Sequence, residues 1–278
     1  MKTAKPILPL LILLSSLLLL PARTRALDGP GLTNGVRAVR GILGMEGRQD
    51  AAMRGLIQYY GWTPEDCTRI LLSLEASLRA RRTDYSSSFA HEVTFSLMEE
   101  FATTNALPAL EKLLWDPTMP EAFGPCMAYV RISRGDPRFW EPLVRRLDAS
   151  VLTNDLFAYH CYEEIKRNLQ RPDFSAQERR NNVDLLVRRV GEDVRDMGFL
   201  DGMLTELVPA WRDSPQRLES AERLLRAHPD HAGVRAFAAG ITNRLGNLPP
   251  EVRASPPELV PAPVPEPRPR TPGSCVEF

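Results

Sequence analysis

The chain has 278 residues, 43% hydrophobic and 25% charged, with 35 basic side chains against 35 acidic ones. This is ordinary globular composition, enough for one large domain or two small ones. The even balance excludes a strong electrostatic field for nucleic acid or anionic lipid.

The first 26 residues hold four of the basic residues (Lys2, Lys5, Arg23, Arg25) and no acid, which leaves 31 basic against 35 acidic side chains, a net charge of about −4, beyond them. Residues 7–20 are an apolar run, and Thr24 and Ala26 occupy the small positions that a signal peptidase reads. Residues 1–26 therefore read as a secretory signal peptide, too short to cross a bilayer comfortably. The predicted location is the periplasm or the extracellular space, with no membrane span after cleavage; an uncleaved anchor is the alternative. No cysteine follows the apolar run, so a lipoprotein anchor is not supported.

Residues 27–62 are glycine-rich, with Gly29, Gly31, Gly35, Gly41, Gly44 and Gly47, and predict an irregular lead-in holding one short helix over 50–60. Thr63, Pro64, Glu65 and Asp66 open a helix predicted over 63–82, its buried stripe formed by Ile70, Leu71, Leu74 and Leu78. Ser86–Ser88 cap the next, with Phe89, Val93, Leu97 and Phe101 predicted inward. Asn105 is the predicted cap of a short helix carrying Leu107, Leu110, Leu113 and Leu114. Thr118 and Glu121 form a capping box for the helix that follows.

Phe89, Phe123 and Phe157 lie 34 residues apart, and so do Val93, Met127 and Cys161. Pro108 and Pro142 keep the same interval, as do Leu110 with Val144 and Leu113 with Leu147. A fixed period of this size marks stacked units, each a pair of helices. The run 107–123, with Asp116-Pro117 between its helices, resembles a HEAT-type repeat; 141–165 is similar, although its turn over 148–154 lacks the Asp-Pro pair. The resemblance covers residues 105–170. It implies a right-handed α-solenoid used as a scaffold or binding surface, and it brings no catalytic residues.

Ser175 and Glu178 make another capping box, opening a helix predicted to reach Arg195. Further helices are predicted over 199–211, from Ser214-Pro215, and after His228-Pro229-Asp230. Residues 221–241 are similar to a tetratricopeptide unit but lack that family's Trp and Tyr. Ten of the 25 prolines lie between Pro249 and Pro272, so 247–278 reads as a disordered polyproline tail. The fold class is all-α: a stack of antiparallel helix hairpins over 63–246, followed by that tail.

Four cysteines remain, and an exported chain permits disulfides. Cys126 and Cys161, on the second helices of neighbouring units, are positioned to face each other, either as a disulfide or as two small buried hydrophobes. Cys275 is a candidate for joining two chains. His91, His160, Cys126, Cys161 and Glu164 all come from second helices, but without tight ligand spacing they predict no metal site. Glu99-Glu100 and Glu163-Glu164 read as solvated faces, and no nucleophile or phosphate-loop motif occurs.

Trp115, Trp140 and Trp211 are the predicted exposed aromatics and hence the candidate partner-binding residues. Phe123, by contrast, is predicted to be core. The functional expectation is an exported, non-enzymatic scaffold that binds a protein or peptide, without cofactor, metal or nucleic acid. The alternative is a cell-envelope enzyme, or the helical accessory domain of one.

Overall fold

A computed structural model describes residues 27–80, 85–116, 123–153, 156–245 and 258–263. Among these residues the chain is all-helical and contains no strand. No helix among them is long and apolar enough to cross a membrane. The signal sequence, the Thr118–Glu121 capping box, Asn154, Cys275 and most of the proline-rich region lie outside the described residues.

The α-helices among the described residues are α1 Gly29–Ile42, α2 Gln49–Tyr60, α3 Pro64–Arg79, α4 Tyr85–Phe101, α5 Leu107–Leu114, α6 Phe123–Ser133, α7 Trp140–Thr153, α8 Phe157–Leu169, α9 Ala176–Val190, α10 Met197–Leu207, α11 Pro215–Ala227 and α12 Ala232–Leu245. Short 3-10 turns at Thr104–Ala106, Pro137–Phe139 and Pro209–Asp213 lead into or out of them. Partners in sequence pack as pairs: α3 with α4, α5 with α6, α7 with α8, α9 with α10, α11 with α12. The second members also pack on one another in succession, α2 on α4, α4 on α6, α6 on α8 and α8 on α10.

The first of these helices replaces the irregular lead-in expected from the glycines. Asp28 caps α1 by accepting the Gly31 N–H at 2.7 Å. Val39 and Ile42 are buried in the core. Gly35 is there for close approach rather than looseness: a Cβ at that position would stand 2.7 Å from Ile70 Cδ1 of α3. Gly124 plays the same part between α6 and α4, where a Cβ would meet the Phe95 ring at 2.4 Å.

Local capping follows the sequence where the signal is strongest. Thr63 and Asp66 form a reciprocal capping box on α3, and Ser175 and Glu178 form one on α9. Elsewhere the boundaries move. Thr103, not Asn105, caps the 3-10 turn before α5. Residues 148–153, expected as a turn, are the last turns of α7, so Thr153 ends a helix instead of opening one. α9 stops at Val190, short of Arg195.

One contiguous core runs from Val39 to Trp211. A second, small cluster of Ala221, Ala238, Ile241 and Leu245 belongs to the α11–α12 pair. Within the region expected to be a disordered tail, residues 258–263 instead lie against the helices, with Leu259 packed on the main core.

Candidate functional site

The second helices carry the candidate site. Their exposed faces are set by burial of the opposite faces: His91, Thr94, Phe95, Leu97 and Met98 on α4 are buried, as are Cys126, Tyr129 and Val130 on α6 and Cys161, Tyr162 and Ile165 on α8. This rotation overturns two expectations. Phe89 and Phe123, predicted to be core, stand 42% and 39% exposed. Only Phe157 of the 34-residue phenylalanine series is buried, beneath the Arg146 guanidinium 4.4 Å from its ring centre.

A row of exposed rings results. The Phe123 ring of α6 meets His160 of α8 edge-on at 4.6 Å. His160 meets Tyr159 at 5.6 Å, and Tyr159 meets Phe199 of α10 at 5.6 Å. Tyr159 and Phe199 are themselves exposed. Phe89 on α4 stands at the position equivalent to Phe123 and borders a cleft of about 320 Å³, whose other walls come from Glu46 in the turn before α2, from Gln49 and Asp50 at the start of α2, and from Val93 and Ser96.

Towards the far ends of the same helices the surface becomes ionic. Arg131 of α6 is buried, and its Nη2 donates to Asp173 Oδ2 at 2.9 Å and lies 3.7 Å from Glu100 Oε1. The Phe174 ring lies 4.8 Å below its guanidinium. Arg171 also donates to Glu100, at 2.9 Å. Arg134 pairs with Glu178 and Asp173. Burial works against ionisation of Asp173, yet its hydrogen bond from Arg171 and the Arg131 charge hold its carboxyl down to about 2.

Two carboxyls in this region are perturbed the other way. Burial, reinforced by the neighbouring Glu164 charge, pushes Glu99 up to about 8 against the opposing charge of Arg131. Burial likewise raises Glu164, although Arg167 donates to it at 3.1 Å. Glu99 and Glu164 are therefore not the solvated faces the sequence suggested. Glu164 on α8 is buried and its charge acts on Glu99 of α4, which is half-buried.

The three tryptophans do not gather into one surface. Trp115 is exposed at the end of α5, with the Arg146 guanidinium 5.7 Å from its ring. Trp140, half-buried, begins α7, and its Nε1 is enclosed. Trp211, expected to be exposed, is fully buried and donates from Nε1 to Asp201 Oδ1 at 2.9 Å. Arg217 holds that carboxylate at 2.7 Å, so the indole N–H has an interior partner. The rings that do form a surface, Tyr159 and Phe199, share no spacing with each other that a single period would reveal.

Cys126 and Cys161 are buried free thiols in hydrogen-bond contact with each other. Burial, and then the hydrogen bond with Cys161, raise the Cys126 thiol well above its ordinary value. Among the described residues, no group of three or more His, Cys, Asp or Glu side chains is arranged to hold a metal ion. His160 is engaged with aromatic rings, and His91 sits buried near Phe95.

Comparison with protein-family models, with curated proteins and with solved structures finds no match in any of the three.

Proposed function

We propose that this is an exported, non-enzymatic scaffold whose helix pairs stack as a right-handed α-solenoid, and that it holds a protein or peptide partner on the face of its second helices. The observation that carries the reading is the ring-to-ring row Phe123–His160–Tyr159–Phe199, which spans three successive second helices. Aromatic side chains left in solvent along one face supply large contact area at low entropic cost, as binding anchors do. The succession of packed second helices supports the stacked arrangement. The signal-like residues 1–26 support export.

The test compares the wild-type protein with a Phe123→Ser/Tyr159→Ser variant, each used to capture partners from the envelope fraction. The wild type retains a stoichiometric partner and the variant loses it, while the variant keeps the wild-type helical circular dichroism and melts only a few degrees lower. Equal capture by the two, or no stoichiometric partner for either, sinks the proposal.

A second reading, an envelope enzyme, rests on the perturbed pair Glu99 and Glu164. It requires that Glu99→Gln or Glu164→Gln abolish a turnover that the Phe123→Ser/Tyr159→Ser variant retains.

A further inference from the structure

Residues 258–263, Glu-Leu-Val-Pro-Ala-Pro, return to the helical body after twelve intervening residues, 246–257, and are seated against α9 and α10. Three kinds of contact hold them. Glu258 pairs with Arg180 near the start of α9 at 3.0 Å. Leu259 packs against the main core. The Ala262 N–H donates to the carbonyl of Leu207 at 2.6 Å.

That last contact is the informative one. Leu207 is the final residue of α10, and the carbonyls of a helix's last turn have no partner within the helix. Ala262 lies between Pro261 and Pro263, neither of which has an N–H. Across 261–263 a single backbone donor is available, and it meets one of these terminal carbonyls. Leu259 and Pro261 are half-buried, whereas Glu258, Val260, Ala262 and Pro263 are exposed. One side of the segment therefore faces the helices and the other faces water, with a tight turn at its start, where the Val260 N–H donates to the Glu258 carbonyl at 3.0 Å.

We propose that the crease running from Arg180 of α9 to the end of α10 is a recognition site for an acidic–leucine–proline segment, that residues 258–263 are its tethered ligand in this chain, and that a partner peptide of the same pattern binds by displacing them. Recognition divides into three parts. Arg180 sets polarity by pairing with the leading acid, the crease takes the leucine, and the Leu207 carbonyl selects the one residue between prolines that still carries an N–H. The Arg180–Glu258 pair is exposed and adds little affinity; its part is direction. A tether of this length presents the segment at an effective concentration on the order of 1 mM, so a free peptide competes at a disadvantage. This surface is separate from the aromatic row on the second helices, and neither proposal depends on the other.

The experiment uses the full chain and a fluorescein-labelled synthetic peptide of residues 258–263, followed by fluorescence anisotropy. Two variants empty the crease from the ligand side, Leu259→Asp and Ala262→Pro; the second removes the N–H at an exposed position outside the core, which covers the case in which the first disturbs folding. Both bind the peptide at least about tenfold more tightly than the wild type does, and a peptide bearing the Ala262→Pro change binds neither. A smaller difference between wild type and variants, or no saturation by about 1 mM, overturns the proposal. A wild-type dimer that the Leu259→Asp chain does not form also overturns it, since the segment would then come from a second copy.

Discussion

The pair α5–α6 and the pair α7–α8 share one outline but sit in different phase. Phe123 opens α6 in solvent, against His160, whereas Phe157 opens α8 sealed beneath Arg146. The burial patterns of the two second helices coincide at an offset of 36 residues, not 34. Pro125 and Cys161, Cys126 and Tyr162, Ala128 and Glu164, Tyr129 and Ile165, and Ile132 and Asn168 are matching buried positions. Phe123 and Tyr159 are the matching exposed ones. Two residues turn a helix by about 200°, so keeping the 34-residue phase would have put Phe157 on the wrong face. The lesson is that the repeated object is a buried face, and identical residues at a fixed interval need not lie on it.

The comparison breaks most readily at the two phenylalanines. Phe157→Ala removes a fully buried ring and costs about 3–5 kcal/mol, while Phe123→Ala costs about 1 kcal/mol because its ring is already partly in water. Urea denaturation of both variants measures the gap; equal losses would mean that the 34-residue alignment is the right one.

Arginine sharpens the same contrast. Arg131 and Arg167 are matching positions at the 36-residue offset, yet the side chain of the first is 3% exposed and that of the second 56%. Arg131→Ala removes a buried, charge-assisted hydrogen bond to Asp173, leaving Asp173 and Glu100 to Arg171 and Arg134, and costs about 1.5–3 kcal/mol. Arg167→Ala costs about 0.5 kcal/mol. Chemical denaturation at low salt separates them, and an Arg131 loss no greater than that of Arg167 would remove the ionic end of α6 from the structural account.

A last contrast is one of pH, where both units act on Glu99 of α4. Its carboxyl loses its proton near pH 8 in the folded chain and near pH 4.3 when unfolded. Between those values the folded state holds a proton that the unfolded state has released, so stability falls as pH rises. Glu164 acts in the same direction. Asp173 and Glu178, both held down to about 2, act oppositely: their contribution is complete above the ordinary carboxylate range and is lost as pH falls towards 2. Glu99→Gln matches the wild type most closely below pH 4 and is increasingly the more stable of the two as pH rises towards 8. Melts across pH 3–9 check this, and parallel curves for the two proteins would count against the raised carboxyl.

Much of the helical layout is legible in the residues themselves because its causes are local. The Thr63–Asp66 and Ser175–Glu178 boxes are read across three residues, and Gly61 stops α2 with φ 65°. What escapes is set between elements. Gly35 looks like a helix breaker until Ile70 and Trp62 are found against it. Trp211 looks like a rim anchor until Asp201, ten residues away, is seen to accept its N–H. Glu99 looks solvated until Glu164 arrives from another unit. The aromatic row has no signature in one dimension, because Phe123, Tyr159 and Phe199 follow two different intervals.

The returning segment 258–263 has a mechanical consequence for the helices it passes. The chain leaves the terminal pair at Leu245, and Leu259 rejoins the main core, so α11 and α12 are bracketed in sequence by two anchorages on the larger body. Their own shared core is four side chains deep, the kind of region that opens first in native-state exchange. The segment works as a buckle. A ligand that unfastens it would loosen the last two helices along with it, converting an event in one crease into a change of order at the end of the fold.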